Sequence, residues 1–279
     1  SRKEKPMSNI RYGSQLYTWQ MSGKKYLGKM THMLNIIRKA GFRGIEPDVP
    51  IMMGKYFEST NRTKELLEKE SLELGALCIP GDWRNPKENE KERWLSDKTL
   101  EFLQDFPNSH LMLSHNDGED RSDLIVRQQN CLACINSIAK RANDMGISCS
   151  VHVNSEIGSV FKTEEDYKIL LDGLDTSVIG WCPDSGHIVN GGMDVYTIFQ
   201  EYISVIKHLH FKDITSEGIW APMGKGITDF PRLIKMLQDN NFDGWVMIEE
   251  ESPNAEKNPD AATLINGKYL VDTLLPLGP

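Results

Sequence analysis

The feature that most restricts the fold of this chain is an alternation. Short apolar, β-prone runs take turns with longer amphipathic stretches from one end to the other, eight of each. Strands are expected at residues 12–17, 43–47, 75–79, 111–113, 147–153, 178–182, 205–210 and 245–248. The stretches between them carry apolar residues at helical spacing, as where Leu27, Met30, Met33, Leu34, Ile37 and Ala40 line one face and Gly41 closes it. Helices are accordingly expected over 26–40, 64–74, 88–106, 123–145, from a Thr163–Asp166 cap to 173, 194–202, 230–237 and 261–274. Eight strand and helix pairs in strict order are the count of a closed (β/α)8 TIM barrel, an α/β fold. Nothing in the composition marks a linker, so residues 1–279 are expected to form one domain. No glycine-rich phosphate loop comes after any strand, which removes nucleotide binding.

A barrel of this kind builds its working face from the residues just beyond each strand. In this chain they are Gln15 and 17–20, Glu46 and Asp48, Asp82 and Trp83, His115 and Asn116, His152 and Asn154, Asp184 and His187, His208, His210 and Lys212, and Glu249 to Glu251. Three apolar runs end abruptly in metal-competent side chains, namely Asp184, His210 and Glu249. Carboxylate oxygens with imidazole suit a hard or borderline divalent ion. His208 and His210 share a strand face by period two, so only the terminal His210 is expected to reach an ion, with His208 supporting it.

Composition narrows the partners. A net charge of -8 repels phosphate backbones and anionic lipid, so nucleic acid and membrane surfaces are not expected partners, whereas a neutral sugar is. No apolar run has transmembrane length, and the charged opening residues 1–7 lead into no hydrophobic region, so neither anchor nor signal peptide is expected and the location is cytoplasmic. Five cysteines, mostly within apolar runs, fit reduced core thiols, Cys131 and Cys134 of the C-x-x-C included. Met52, Met53 and Trp220 are read as exposed, making them candidate contacts of an oligomer.

The motifs PDSGHIVNGGMD, HLHFKD, MGKGITDF and GWVMIEEE, preceded by GFRGIEPD at the second strand, resemble the xylose isomerase-like barrels known as sugar phosphate isomerases/epimerases. The resemblance covers nearly the whole chain. It implies one divalent ion, manganese first, with cobalt or magnesium as alternatives, held by residues after strands five to eight. Asp184, His210 and Glu249 match three of those positions; His152 stands where the epimerases carry a glutamate. The pair of proton-shuttling carboxylates is thereby reduced to one, Glu249. The segments QLYTWQMSG, DLIVRQQNCLACINSIAKRA, HVNSEIGSVFKTEEDY and GHIVNGGMD resemble most the inosose (keto-inositol) dehydratases and the large subunits of bacterial C-glycoside deglycosidases.

The activity so implied is a metal-dependent carbon-oxygen or carbon-carbon lyase that enolises a keto sugar or glycoside and eliminates the group on the next carbon. A metal-dependent sugar isomerase or 3-epimerase is the alternative. The deglycosidase resemblance also implies a small β-rich partner subunit. Within this scheme His152 is either fourth ligand or base, and Lys212 neutralises a developing oxyanion or pairs with Asp213 or Glu217. Glu46 is a second acid/base, a hydroxyl grip or a structural pair. His187 and Asn154 orient ligands or touch sugar hydroxyls, and Trp19 and Trp83 form an aromatic wall or pack. The same barrel houses multi-zinc abasic-site endonucleases, against which the net charge speaks, and a non-catalytic sugar-binding module is the remaining rival.

Overall fold

Strands whose side chains are buried on both faces must be covered on one side by helices and filled on the other by one another, and that is the arrangement found. In the computed structural model, which describes residues 7–279, the barrel strands are β1 (Asn9–Gln15), β2 (Gly44–Glu46), β3 (Ala76–Gly81), β4 (His110–His115), β5 (Cys149–His152), β6 (Gly180–Trp181), β7 (Leu209–Phe211) and β8 (Asp243–Ile248). They pair in parallel as β7–β8–β1–β2 and β3–β4–β5–β6. Single parallel bridges close both seams: Asp48 with Cys78 between β2 and β3, and Trp181 with Ile206 and Asp184 with His210 between β6 and β7. The Cys78 amide donates to the Pro47 carbonyl at 3.0 Å and the His210 amide to the Pro183 carbonyl at 3.0 Å. Each barrel strand thus has a parallel pair or bridge on both sides.

The helices α1 (Met30–Ala40), α2 (Thr60–Lys69), α3 (Glu90–Leu103), α4 (Leu124–Asp144), α5 (Glu164–Gly173), α6 (Val195–Tyr202), α7 (Phe230–Asp239) and α8 (Pro259–Tyr269) alternate with the strands. α7 shows why they form: Phe230, Leu233, Ile234 and Leu237 bury one stripe, and the Asp229 carboxylate accepts the Arg232 amide at the exposed start. The expected Thr163–Asp166 capping box opens α5. Inside the ring, Cys78, Met112 and Cys182 form a small apolar layer of their own. All five cysteines are buried and free, and burial pushes the Cys78, Cys131, Cys149 and Cys182 thiols up, so they fill space rather than react.

Several boundaries differ from the sequence reading. Tyr17 begins a short helix, Tyr17–Gln20, where a strand end was expected. Leu74 pairs with β2 in a two-residue strand, Glu73–Leu74, and does not extend α2. Val205 lies in a 3-10 turn, Ile203–Val205, because β7 needs only three residues to span its neighbours. The expected last helix changes at Tyr269 into a wider turn, Leu270–Leu274. Met52 and Met53 are 2% and 1% exposed, which corrects their reading as contact residues: both join the main core, and Trp220 is half-buried beside the site. Residues 1–6, and with them most of the charged opening segment, lie outside the described residues. Among the described residues no helix is long and apolar enough to cross a membrane.

Candidate active site

Period two along β7 stacks His208, His210 and Lys212 on the inner face, while Leu209 and Phe211 point into the helical layer. The three sit at successive heights, and each meets a different partner. His208 Nε2 lies 2.6 Å from Glu46 Oε1, and His210 Nε2 contacts Glu46 Oε2. Lys212 Nζ contacts Glu251 and lies 3.2 Å from Asp184 Oδ2 and 3.6 Å from Glu249 Oε1. The bridge that closes the barrel between Asp184 and His210 is also what sets these two side chains beside each other. Across the adjoining pair, Met247 faces His210, which carries Glu249, two residues on, into the same space. The seam of the ring and the centre of the site are one place.

Asp184 has a second task. Its Oδ1 accepts the amides of Gly186 and His187 at 3.0 and 3.1 Å, capping the short helix Ser185–Asn190 that the sequence reading missed. With Oδ1 so engaged, Oδ2 is left facing inward, 3.0 Å from His152 Nε2. His187, held on that helix, takes the Lys212 ammonium as donor at 3.1 Å and gives its Nδ1–H to Ser155 Oγ at 2.7 Å. Asn154 donates to the His115 carbonyl at 3.3 Å.

The charges follow from burial and pairing. Burial works against ionisation of Asp184, but Lys212, His187 and His152 outweigh it and hold the carboxyl well below its usual range. Glu46 is likewise lowered, its desolvation overcome by His210 and His208. Burial lowers His210, but Glu46 and Glu249 outweigh it and raise the imidazole above its ordinary value. Burial pulls Lys212 down while Asp184, Glu249 and Glu251 hold it well above the ordinary lysine value. Glu251 is pushed up to about 7, chiefly by burial. Burial lowers His152, which is therefore neutral near pH 7.

His152, His187, His210, Lys212, Glu249 and Glu251 floor a cavity of about 390 Å³ that also presents Gln15, Tyr17, Asp48, Ser114 and Asn116, with Asp184 just beneath it. Glu46 does not line it; fully buried beneath His210, it is a partner of two imidazoles. Trp19 and Trp83 do not line it either. Trp19 is fully buried and donates to Asp260 on α8 at 2.7 Å, and Trp83 is stacked behind His115, so neither supplies the expected aromatic wall. The ion pairs of Lys212 are with Asp184, Glu249 and Glu251, not with Asp213 or Glu217. Glu251 and the Gln15–Asp48 pair, joined at 3.0 Å, face the cavity although the sequence reading gave them no role. Spacing contained the signal for Glu251, which repeats Glu249 at period two.

The loop after β7 is held by Asp213. Its carboxylate accepts the amides of Gly224 and Gly226 at 2.9 Å each, Ile214 at 3.0 Å and Thr228 at 3.4 Å. A Cβ at Gly226 would stand 2.2 Å from Asp213 Oδ1, and Gly224 has φ +84, which accounts for both glycines of MGKGITDF. Asp213→Ala leaves these amides unpaired and is expected to lower stability by about 1–3 kcal/mol, read by urea denaturation. An unchanged midpoint would show that the loop is held by something else.

The donor set fits a divalent cation. Asp184, His210 and Glu249 each offer an atom, all within 4.8 Å of one another and buried. His210 Nδ1 is buried without a hydrogen-bond partner, yet stands 3.1 Å from a Glu249 oxygen, a contact that a proton or a cation must mediate. His152 Nδ1 is also buried and unpartnered. A parallel α/β barrel with imidazoles and carboxylates gathered where its strands end has the build of a barrel enzyme. The chain belongs to the xylose isomerase-like TIM barrel family, whose model matches residues 34–267. It is similar to the inosose dehydratase of Clostridium perfringens, 23% identical over 296 aligned positions that cover 94% of this chain and 97% of the relative. Its fold is similar to that of the IOLI protein with a binding zinc atom, at TM-score 0.75 and 15% identity over 96% of this chain and 99% of the other. It is also similar to that of an L-ribulose 3-epimerase, at TM-score 0.72 and 15% identity over 96% of each chain.

Proposed function

We propose that this enzyme is a divalent-metal-dependent lyase that acts on an oxidised polyol or sugar ring, removing the proton beside a ketone and expelling the group on the next carbon. One observation carries the reading. The His152 Nε2–H is given to Asp184 at 3.0 Å, which leaves Nδ1 as the lone pair of a neutral imidazole beside the carboxylate cluster. That is the condition of a general base. A divalent ion held by Asp184, His210 and Glu249 would polarise the ketone oxygen as a Lewis acid and so acidify the neighbouring C–H. His152 Nδ1 takes that proton, and the electron pair of the broken C–H bond becomes the new carbon-carbon double bond as the C–O bond to the next carbon breaks. Lys212 offsets negative charge on the substrate oxygen. The departing hydroxide takes its proton through Glu251, which is in contact with the Lys212 ammonium, and leaves as water.

Similarity to an inosose dehydratase supports keto-inositol as the first substrate to test, and a 3-oxo-C-glycoside is the second. Manganese is the first ion, with cobalt, magnesium and zinc as comparisons. Five reduced, buried thiols support a cytoplasmic setting. Keto-inositol and the oxo-glycoside, each in deuterated water with manganese-loaded protein, are expected to exchange the α-proton and eliminate. Addition of any small protein encoded beside this one tests the two-subunit arrangement, and light scattering tests the oligomer. Exchange followed by an epimer with every oxygen retained would make the enzyme an isomerase. Binding without exchange for either substrate would leave a sugar-binding module.

A further inference from the structure

Lys212 is a buried ammonium crowded by oxygens. Its side chain is 1% exposed, and Nζ lies 3.2 Å from Asp184 Oδ2 and 3.6 Å from Glu249 Oε1. It also contacts Glu251, donates to His187 and stands 5.1 Å from the centre of the Trp220 ring. Two of these oxygens belong to residues assigned above to a divalent ion. A positive charge already stands between them.

We propose that Lys212 is the resident counter-cation of this centre: it holds Asp184 and Glu249 together when no ion is bound, and gives way toward Glu251 when one enters. Ion uptake is then an exchange of one cation for another. The inference rests on the metal reading of the site.

The physics is that of a buried acidic pair. Two carboxylates brought this close out of water need positive charge beside them, and the permanent charge is the Lys212 ammonium, just beyond β7 and in reach of both. A divalent ion must first compete with that ammonium for the same oxygens. It must then bind with a like charge retained nearby on Glu251 and against Trp220. Both effects weaken binding, so a lysine that serves the centre lowers its affinity for the ion. A lysine whose loss merely disordered the centre would give the opposite sign, weaker binding in the variant.

Lys212→Met keeps the length of the side chain and removes the charge. Isothermal titration of ion-free protein with manganese is expected to show binding at least about tenfold tighter than wild type. Without the ion the variant should melt at a lower temperature than wild type, and manganese should raise its melting temperature more. If the ion-free variant does not stay folded, it can be prepared with manganese, and the rate at which a chelator strips the ion is expected to fall at least about tenfold. Affinity or stripping rate equal to wild type, or weaker binding, overturns the proposal. A wild-type protein that takes up no manganese, cobalt or zinc would instead defeat the metal reading. In that case the ion-free melting temperature still decides whether Lys212 holds the two carboxylates together, and equal melting temperatures would show that it does not.

Discussion

Replacing His152 with alanine is expected to slow α-proton exchange of keto-inositol by about 10²–10⁴-fold while the protein still binds one divalent ion. The expectation comes from which nitrogen is spoken for. Asp184 Oδ2 takes the Nε2–H at 3.0 Å, so the ring's lone pair sits on Nδ1, and that atom is buried without a partner. Asp184, His210 and Glu249 come within 4.8 Å of one another without His152, which forms a second such group with Asp184 and His187. On the proposed reading, base and ligands are separate groups joined through the shared Asp184 carboxylate. Metal content by elemental analysis and exchange by proton NMR, measured on the same preparation, distinguish the roles. Loss of the ion together with exchange would make His152 the fourth ligand. Retention of both would leave the base to another residue, with Glu251 the first to examine, since it faces the same cavity.

The parts of this site that were legible in the sequence are those governed by strand alternation. An apolar run that stops at a charged residue puts that residue at a strand end, and parallel strands put their ends on one side, so Asp184, His210 and Glu249 could be placed together from spacing alone. The same period put Lys212 on the inner face with His210. What alternation cannot supply is the identity of partners across the ring. The sequence reading gave Lys212 the neighbours Asp213 and Glu217, which are near in the chain, whereas its ion pairs are with Asp184, Glu249 and Glu251. Burial at the rim was equally out of reach. Met52, Met53, Trp19 and Trp83 come after strands, as cavity residues do, and only the packing of the loops decides that all four turn inward. The helix Ser185–Asn190 escaped notice because six residues hold too little periodicity to register; it forms because Asp184 caps it.

Glu46→Ala is expected to damage both the fold and the centre, and the comparison with Glu46→Gln separates the two effects. The carboxylate is wholly buried and accepts from His208 Nε2 at 2.6 Å and from His210 Nε2 on its other oxygen. Removing it strands two imidazole N–H groups inside the barrel, and breaking a buried pair of this kind costs about 3–5 kcal/mol, measurable by urea denaturation. The second consequence concerns the tautomer of His210. As long as Glu46 holds the proton on Nε2, the lone pair of a neutral ring lies on Nδ1, the nitrogen 3.1 Å from Glu249 and toward the ligand trio. Loss of such a partner typically weakens ion binding by about 10–100-fold. Glutamine fills the same volume and can accept from one imidazole, but its amide N–H₂ then faces the other. If that one is His210, the proton must move to Nδ1 and the lone pair is lost to the ion. Glu46→Gln should therefore recover much of the stability that alanine loses while still binding manganese about 10–100-fold more weakly than wild type. Wild-type affinity in the glutamine variant would mean that its amide oxygen still accepts from His210, and wild-type affinity in the alanine variant as well would make the chain from His208 through Glu46 to His210 a structural pairing alone.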